Sequence, residues 1–395
     1  MVSRQKRGDG RNDPADPQAA SARGIRSFKK GVPFDARMDE RKTPEFINNE
    51  VLVVDRFLDF SDEEKRDIFV GLQDKMKLSP VAIEKDIWVC WVLQTIFSMP
   101  GRSRMCFKGG TSLSKVFGAI SRFSEDVDVT INHRMENTQV LDPCKEEISK
   151  TEIKRIAEQY SILTVKMVRE SIAPYLRHKI EEEFRDNRFW FDIDKTGEKL
   201  TMGYPSVFDQ SDRSRYMSSS VLVEFGGKNS TDPQMSIKVR TEISNFLPTI
   251  ELPEAQVDVL DPKRTFWEKV TLIHVECNRH NSRERFDRLS RHWYDISKLA
   301  DHEVGITAMT DFSLLEDVVR YKKAFFNSAY AKYEDCLNGN LRLCPSNDEM
   351  KKKLKEDYGQ MINSGMFRED PPAFDEMIRR IQDLESRINT AIGTG

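Results

Sequence analysis

The chain has 395 residues, of which 32% are charged, with a formal net charge of −3. That length can bury a substantial core and is expected to form two lobes, but the near-balanced charge gives no global field for nucleic acid, so RNA contact would have to come from local patches. The six cysteines (90, 106, 144, 277, 336 and 344) show neither a C-x-x-C pair nor a metal spacing, and no apolar run of about 20 residues or apolar leader is present. The expectation is a soluble, cytoplasmic protein without a membrane partner, with Cys90, Cys106 and Cys277 as reduced core thiols.

Residues 1–45 are rich in Arg, Lys, Asp, Gly and Pro, the composition of a disordered charged tail. Its basic run from Arg23 to Lys30 reads as solvated, with RNA contact as the alternative. Ser61-Asp62-Glu63-Glu64 forms a capping box that starts a helix. A second helix starts at Ser79 with Pro80 in its first turn and carries Ile83, Ile87, Trp91 and, on the flank, Val92 at core spacing. Residues 104–107 fit a short strand that enters a glycine turn, Lys108-Gly109-Gly110-Thr111-Ser112, followed by a helix-compatible segment from Ser112 to Phe117 and the acidic strand Asp126-Val127-Asp128-Val129. Residues 146–185 are charged and helix-prone, with Pro174 as a kink. Strands and loops follow over 186–250, including Val221 to Phe225, interrupted by Glu224, and Ser236 to Ile243. Helices are expected over 263–280 and 284–301, and the remainder is mostly helical.

Alternation with period two puts Asp126 and Asp128 on one strand face, where two carboxylates repel and need a counter-charge. A divalent cation, Mg²⁺ or Mn²⁺, supplies it and leaves room for substrate phosphates. Gly109 and Gly110 let backbone N–H groups approach phosphate oxygens, with the Thr111 hydroxyl and the next helix's N-terminus assisting. Ser112 is a further contact or a cap for that helix, and Ser124 shares a side with Asp126. Lys108, Lys115 and Arg122 add positive charge around the turn. Together these residues describe a site for a metal-bound nucleotide.

The order Gly-Gly-Thr-Ser, then Asp-Val-Asp, resembles the DNA polymerase β-like nucleotidyltransferase superfamily. The fuller string FKGGTSLSKVFGAISRFSEDVDVTI is similar to the AbiEii toxin family, and further matches lie at Glu84-Lys85-Asp86, Glu268-Lys269 and Arg291-His292-Trp293-Tyr294-Asp295. One departure is the gap between Gly110 and Asp126, longer than the superfamily's usual spacing. The resemblance implies an α+β fold: a polymerase β-like core of mixed sheet and helices over 46–305, with a helical insertion at about 146–186 and a mostly helical C-terminal lobe over 306–395. It also implies a third carboxylate from a neighbouring strand, for which Glu224 stands, unless it pairs with a basic residue at the sheet edge. Ser124 and Lys269 match the family's site positions. Asp295 matches its last acidic position, to orient Lys269 or a metal-bound water, with an Arg291 pair as the alternative.

The expected activity is transfer of a nucleoside monophosphate from an NTP to RNA, the tRNA 3′ end in particular, in a toxin–antitoxin or phage-defence system. A cognate antitoxin, often a DNA-binding repressor, is the expected partner. Two rivals stand beside this reading: nucleotidyl or phosphoryl transfer onto a protein, and a non-catalytic nucleotide-binding module. Helix 315–325, with Arg320, Lys322 and Lys323, could guide an RNA backbone.

Overall fold

In the computed structural model, residues 55–133, 148–208, 217–279 and 288–393 are described; the charged N-terminal segment, Cys144 and the start of the expected helix 284–301 lie outside them. Helix α1 (Asp62–Met76) starts at the capping box, where the Ser61 side chain accepts from the Glu64 N–H and the Glu64 carboxylate accepts from the Ser61 N–H. Helix α2 (Pro80–Phe97) is capped by Ser79 and buried over almost its whole circumference, because it lies between α1 and the sheet. No described helix is long and apolar enough to cross a membrane.

The chain then lays down β1 (Met105–Lys108), α3 (Gly109–Lys115) and β2 (Val127–Ile131). A long helical excursion follows as α4 (Lys150–Met167), a π-helical turn (Val168–Ile172) and α5 (Ala173–Glu183). The expected break at Pro174 is taken up by that π turn just ahead of the proline, a common way for a helix to absorb a local defect. Next come β3 (Trp190–Ile193), β4 (Lys199–Gly203), β5 (Ser220–Gly226), β6 (Gln234–Arg240) and β7 (Glu254–Leu260). The described strands form one sheet in the order β3-β4-β5-β2-β1-β7-β6, with β1 antiparallel to β2 and parallel to β7, and β2 parallel to β5. This mixed sheet, flanked by helices, is an α+β architecture. The acidic strand β2 is its central strand, so Val127, Val129 and Ile131 fill the core while Asp128 takes the other face.

The remaining helices are α6 (Pro262–Asn278), α7 (Ser290–Leu299), α8 (Glu303–Ala308), α9 (Phe312–Phe325), α10 (Asp348–Asn363) and α11 (Phe374–Gly393). Helix α6 packs on α7, α8 and α9, and α7 is held from behind by α10 and α11. Asp357 of α10 accepts from the backbone N–H groups of Arg288 (2.8 Å) and Ser290 (2.7 Å), which anchors the start of α7.

The Glu84-Lys85-Asp86 triplet is buried, and each charge has a partner. Glu84 accepts from the Ser206 hydroxyl at 2.6 Å and the Val207 N–H at 2.7 Å. Lys85 pairs with Glu125 and donates to the Ser218 carbonyl, while Asp86 pairs with Lys115 and accepts from the Glu242 N–H. Lys115 therefore serves α2, not a phosphate: its side chain is 2% exposed, and pairing with Asp86 holds its ammonium above its ordinary range against the opposing effect of burial. Removing one partner of a buried pair strands the other charge at a cost of roughly 3–5 kcal/mol. Lys115→Ala should lower the unfolding free energy in urea by about that much; a loss within error would show that the pair does not hold α2 to α3.

Candidate active site

Strand β1 runs directly into α3 through Gly109, whose φ is +84°. A Cβ there would sit 2.0 Å from Asp128 Oδ2, so glycine is what lets that carboxylate rest against the turn. At Gly110 a Cβ would come within 2.9 Å of Arg122 Nη2 and Ser124 Oγ. The two glycines thus make room for the site's own side chains, a tighter constraint than the phosphate approach expected of them.

Asp126 stands at the entrance to β2 and Asp128 lies within it. Asp128 is opposite Lys108 of β1 and beside Glu224 of β5 in the parallel register. Glu224 lies beside Asp128 in the register and pairs with Lys199 of the adjoining strand at 2.5 Å, the basic partner expected as its alternative. Asp126 Oδ2 accepts from Arg291 Nη1 at 2.5 Å. Among the described residues no donor hydrogen-bonds to Asp128. Burial pushes its carboxyl up to about 6; Lys108 pulls against this, and Glu224 and Asp126 add to it. Burial acts the same way on Asp126, but Arg291 and Arg288 outweigh it and hold that carboxyl below its ordinary range.

Asp295 is fully buried on α7 and joins the site's two sides. It accepts from Arg122 Nε at 2.7 Å and Nη2 at 2.8 Å, and it pairs with Lys269 Nζ of α6 at 2.9 Å. Burial would raise its carboxyl, but Arg122 and Lys269 hold it well below the carboxylate range. Its expected alternative partner, Arg291, turns to Asp126 instead. Lys269 is lowered by burial despite Asp295, and His292, 3.4 Å from its Nζ, is kept neutral by burial and by Lys269 and Arg291.

These groups line one cavity of about 260 Å³ between the sheet and helices α6, α7 and α9. It brings together Lys108, Gly109, Gly110, Arg122, Ser124, Asp126, Asp128, Glu224 and Lys269. Asp295 stands behind its wall, on Arg122 and Lys269. Thr111 and Ser112 are not in the lining: the Thr111 hydroxyl donates to the Asp126 carbonyl at 2.5 Å and lies 3.0 Å from Ser124 Oγ, and the Ser112 hydroxyl donates to the Gly109 carbonyl at 2.9 Å. Both hydroxyls brace the turn. The long gap between Gly110 and Asp126 also has a structural use. Phe123 N–H donates to the Met366 carbonyl at 2.7 Å and Arg368 N–H to the Ser121 carbonyl at 3.1 Å, so the extra loop docks on a distant segment and delivers Arg122 to Asp295.

Sequence reasoning did not single out Thr265, Glu268, Arg291 or Lys322 as cavity residues. Thr265, Glu268, Lys269 and Leu272 recur at helical spacing on one face of α6, a signal that was available. Arg320 and Lys323, grouped with Lys322 as an RNA guide, point elsewhere and pair with Asp317 and Glu334. Among the described residues no three His, Cys, Asp or Glu side chains gather into a metal cage. Asp126 and Asp128 suit Mg²⁺ in another way, since that ion commonly takes one or two carboxylates and completes its shell with water and substrate phosphates.

A central acidic strand beside a glycine turn, facing a cation-bearing helical wall, is the arrangement of a nucleotidyltransferase. The family described as "Nucleotidyl transferase AbiEii toxin, Type IV TA system" matches residues 91–380, and the chain belongs to that family. Membership makes it a nucleotidyltransferase toxin of a type IV toxin–antitoxin system, with an antitoxin as partner. Among solved structures it is similar to MenT4, a nucleotidyltransferase toxin from Mycobacterium tuberculosis H37Rv, at 15% identity and a TM-score of 0.43, over 83% of this chain and 89% of that one. No curated protein matches the sequence.

Folding raises the Asp128 carboxyl from 3.8 to about 6, so between those values the folded chain holds a proton that the unfolded chain has lost. Stability therefore falls as pH rises through that window and stays lower above it. In EDTA, Asp128→Asn should be more stable than wild type by roughly 2–3 kcal/mol at pH 8, with the gain disappearing below about pH 4. Urea melts at the two pH values check this; equal stability at pH 8 would mean that the carboxylate carries no such penalty.

Proposed function

We propose that the protein transfers a nucleoside monophosphate from an NTP to the 3′ end of an RNA, tRNA foremost, using Mg²⁺ or Mn²⁺, and so stops translation in a toxin–antitoxin or phage-defence setting. The observation that carries this reading is Asp128: a carboxylate with no hydrogen-bond donor among the described residues, set against a glycine turn and flanked by Asp126 and Glu224. A half-buried negative charge in that position calls for a cation. Asp126 and Asp128 would hold the metal, which when bound supplies neutralising charge to the phosphates and acidifies the attacking hydroxyl.

The chain's own residues supply positioning and electrostatics, the main requirements of phosphoryl transfer. The acceptor hydroxyl attacks the α-phosphorus, the bond to the α–β bridging oxygen breaks, and pyrophosphate leaves. Glu224, with its side chain 38% exposed against 12% for Asp126, is the acidic group most accessible to an incoming acceptor and the one suited to take its proton. Lys269 and Arg122, locked on Asp295, hold fixed positive charge beside the phosphates. Ser124 lines the floor next to the glycine turn. The cognate antitoxin, read from the resemblance as a DNA-binding repressor, would restrain this activity.

Purified protein with Mg²⁺, each α-³²P-labelled NTP and total bacterial RNA should label tRNA-sized bands for at least one nucleotide. Asp126→Ala and Asp128→Ala should each lower labelling by at least about a thousandfold while leaving the circular dichroism spectrum intact. Label that migrates with protein and resists RNase would make the acceptor a protein. No label in either fraction would reduce the site to nucleotide binding.

A further inference from the structure

Of the five Lys and Arg side chains lining the cavity, four are committed to carboxylates: Lys108 to Glu268 at 2.8 Å, Arg122 to Asp295 at 2.7 Å, Lys269 to Asp295 at 2.9 Å, and Arg291 to Asp126 at 2.5 Å. Lys322 of α9 is the fifth. Among the described residues its ammonium makes neither a hydrogen bond nor an ion pair, and its contact is with the face of the Phe326 ring, 5.3 Å away.

The surroundings of Lys322 sharpen the contrast. Glu268 is its acidic neighbour but is already bonded to Lys108, and nearby Arg264 is matched by Asp317 at 2.6 Å. Burial, together with Lys108 and Arg264, lowers the Lys322 ammonium below its ordinary range against the pull of Glu268. This end of the cavity therefore carries one positive charge more than its carboxylates neutralise. On the same wall, the buried Thr265 hydroxyl has no hydrogen-bond partner among the described residues. Unmatched groups of this kind in a cavity wall are costly unless a ligand completes them.

The opposite end holds Asp126, Asp128 and Glu224. The two ends meet at Lys108, which faces Asp128 across the β1–β2 register and reaches Glu268 with its ammonium. The cavity is thus a dipole, acidic at the central strand and basic at α6 and α9. A metal–triphosphate has the matching shape, with its cation at one end and its terminal phosphate oxygens at the other.

We infer that Lys322 is a substrate-binding residue that takes the β- or γ-phosphate of the incoming nucleoside triphosphate, opposite the acidic end of the cavity. The inference rests on the nucleotidyltransferase reading of the same site. Lysine suits the role as a compact charge that can follow a triphosphate. It gives the α9 wall a function that neither Arg320 nor Lys323 can share, because both face away.

Isothermal titration of the full chain with Mg²⁺ and each NTP, and with Mg²⁺ and inorganic tripolyphosphate, tests this on wild type, Lys322→Gln, Lys322→Arg and Lys323→Gln. Lys322→Gln should weaken both the NTP and tripolyphosphate by about tenfold or more. Lys322→Arg should recover part of that loss, and Lys323→Gln should bind as wild type. Thermal melting should show Lys322→Gln folding at least as stably as wild type, since it removes an unmatched charge. Wild-type affinity of Lys322→Gln for tripolyphosphate would overturn the inference while leaving the site reading intact. Failure of the wild type to bind any triphosphate would overturn both. Filter binding of tRNA supplies the last arm: a loss confined to tRNA would assign Lys322 to the acceptor's phosphates and overturn the triphosphate contact.

Discussion

Asp295 is the point on which the site's geometry depends. Sequestered on α7, it receives Arg122 from the loop before the acidic strand and Lys269 from α6, and so fixes the distance between the sheet and its helical wall. Buried ion pairs contribute little net stability compared with well-packed apolar groups. Their value here is positional: a bidentate guanidinium and an ammonium sharing one carboxylate have few alternative rotamers. The same arrangement keeps two cations charged in a confined space where desolvation would otherwise favour losing a proton from Lys269.

Around that fixed joint the charges fall into two kinds. Lys85 with Glu125 and Asp86 with Lys115 neutralise one another, Glu84 accepts from Ser206 and Val207, and together they tie α2 to the segments that carry the site. Asp128 and Lys322 are not neutralised in this way. Both are held at a cost to folding, one acidic and one basic, and the cavity lies between them. Such cost is typical of groups kept for a ligand, and its presence at both ends of one cavity ties the two observations together.

Local rules made much of the frame legible. Ser61 and Ser79 announce α1 and α2 through capping, and Asp-Val-Asp-Val announces the central strand through its period of two. Strand β7 also alternates, Ala255, Val257 and Val259 being buried against Glu254 and Gln256, and it lies beyond the 186–250 region in which strands are expected. The roles of Thr111, Ser112 and Lys115 were not readable locally. Each is polar, near a glycine turn and equally suited to phosphate; distant partners at residues 126 and 86 decide where Thr111 and Lys115 turn, while Ser112 bonds back locally to the Gly109 carbonyl. The pairs Arg122–Asp295 and Arg291–Asp126 span 173 and 165 residues, beyond the reach of any periodicity. Lys322 lies one position from Lys323 and two from Arg320, and residues so spaced on a helix do not face the same way, so proximity in the chain does not place the three together at the cavity.

The anchoring of α7 by Asp357 has a consequence for the order in which the enzyme comes into being. Arg291 and Asp295 sit on a helix whose first backbone groups are satisfied by a carboxylate 67 to 69 residues further along the chain. A polypeptide still being synthesised acquires the acidic strand, the glycine turn and even Lys269 well before it acquires that anchor. Nascent chains thus carry the chemistry, and the Asp295 pairs with it, before the carboxylate that anchors the start of α7. For a nucleotidyltransferase toxin, the carboxylate that sets its catalytic helix is thus made later than the groups that helix aligns.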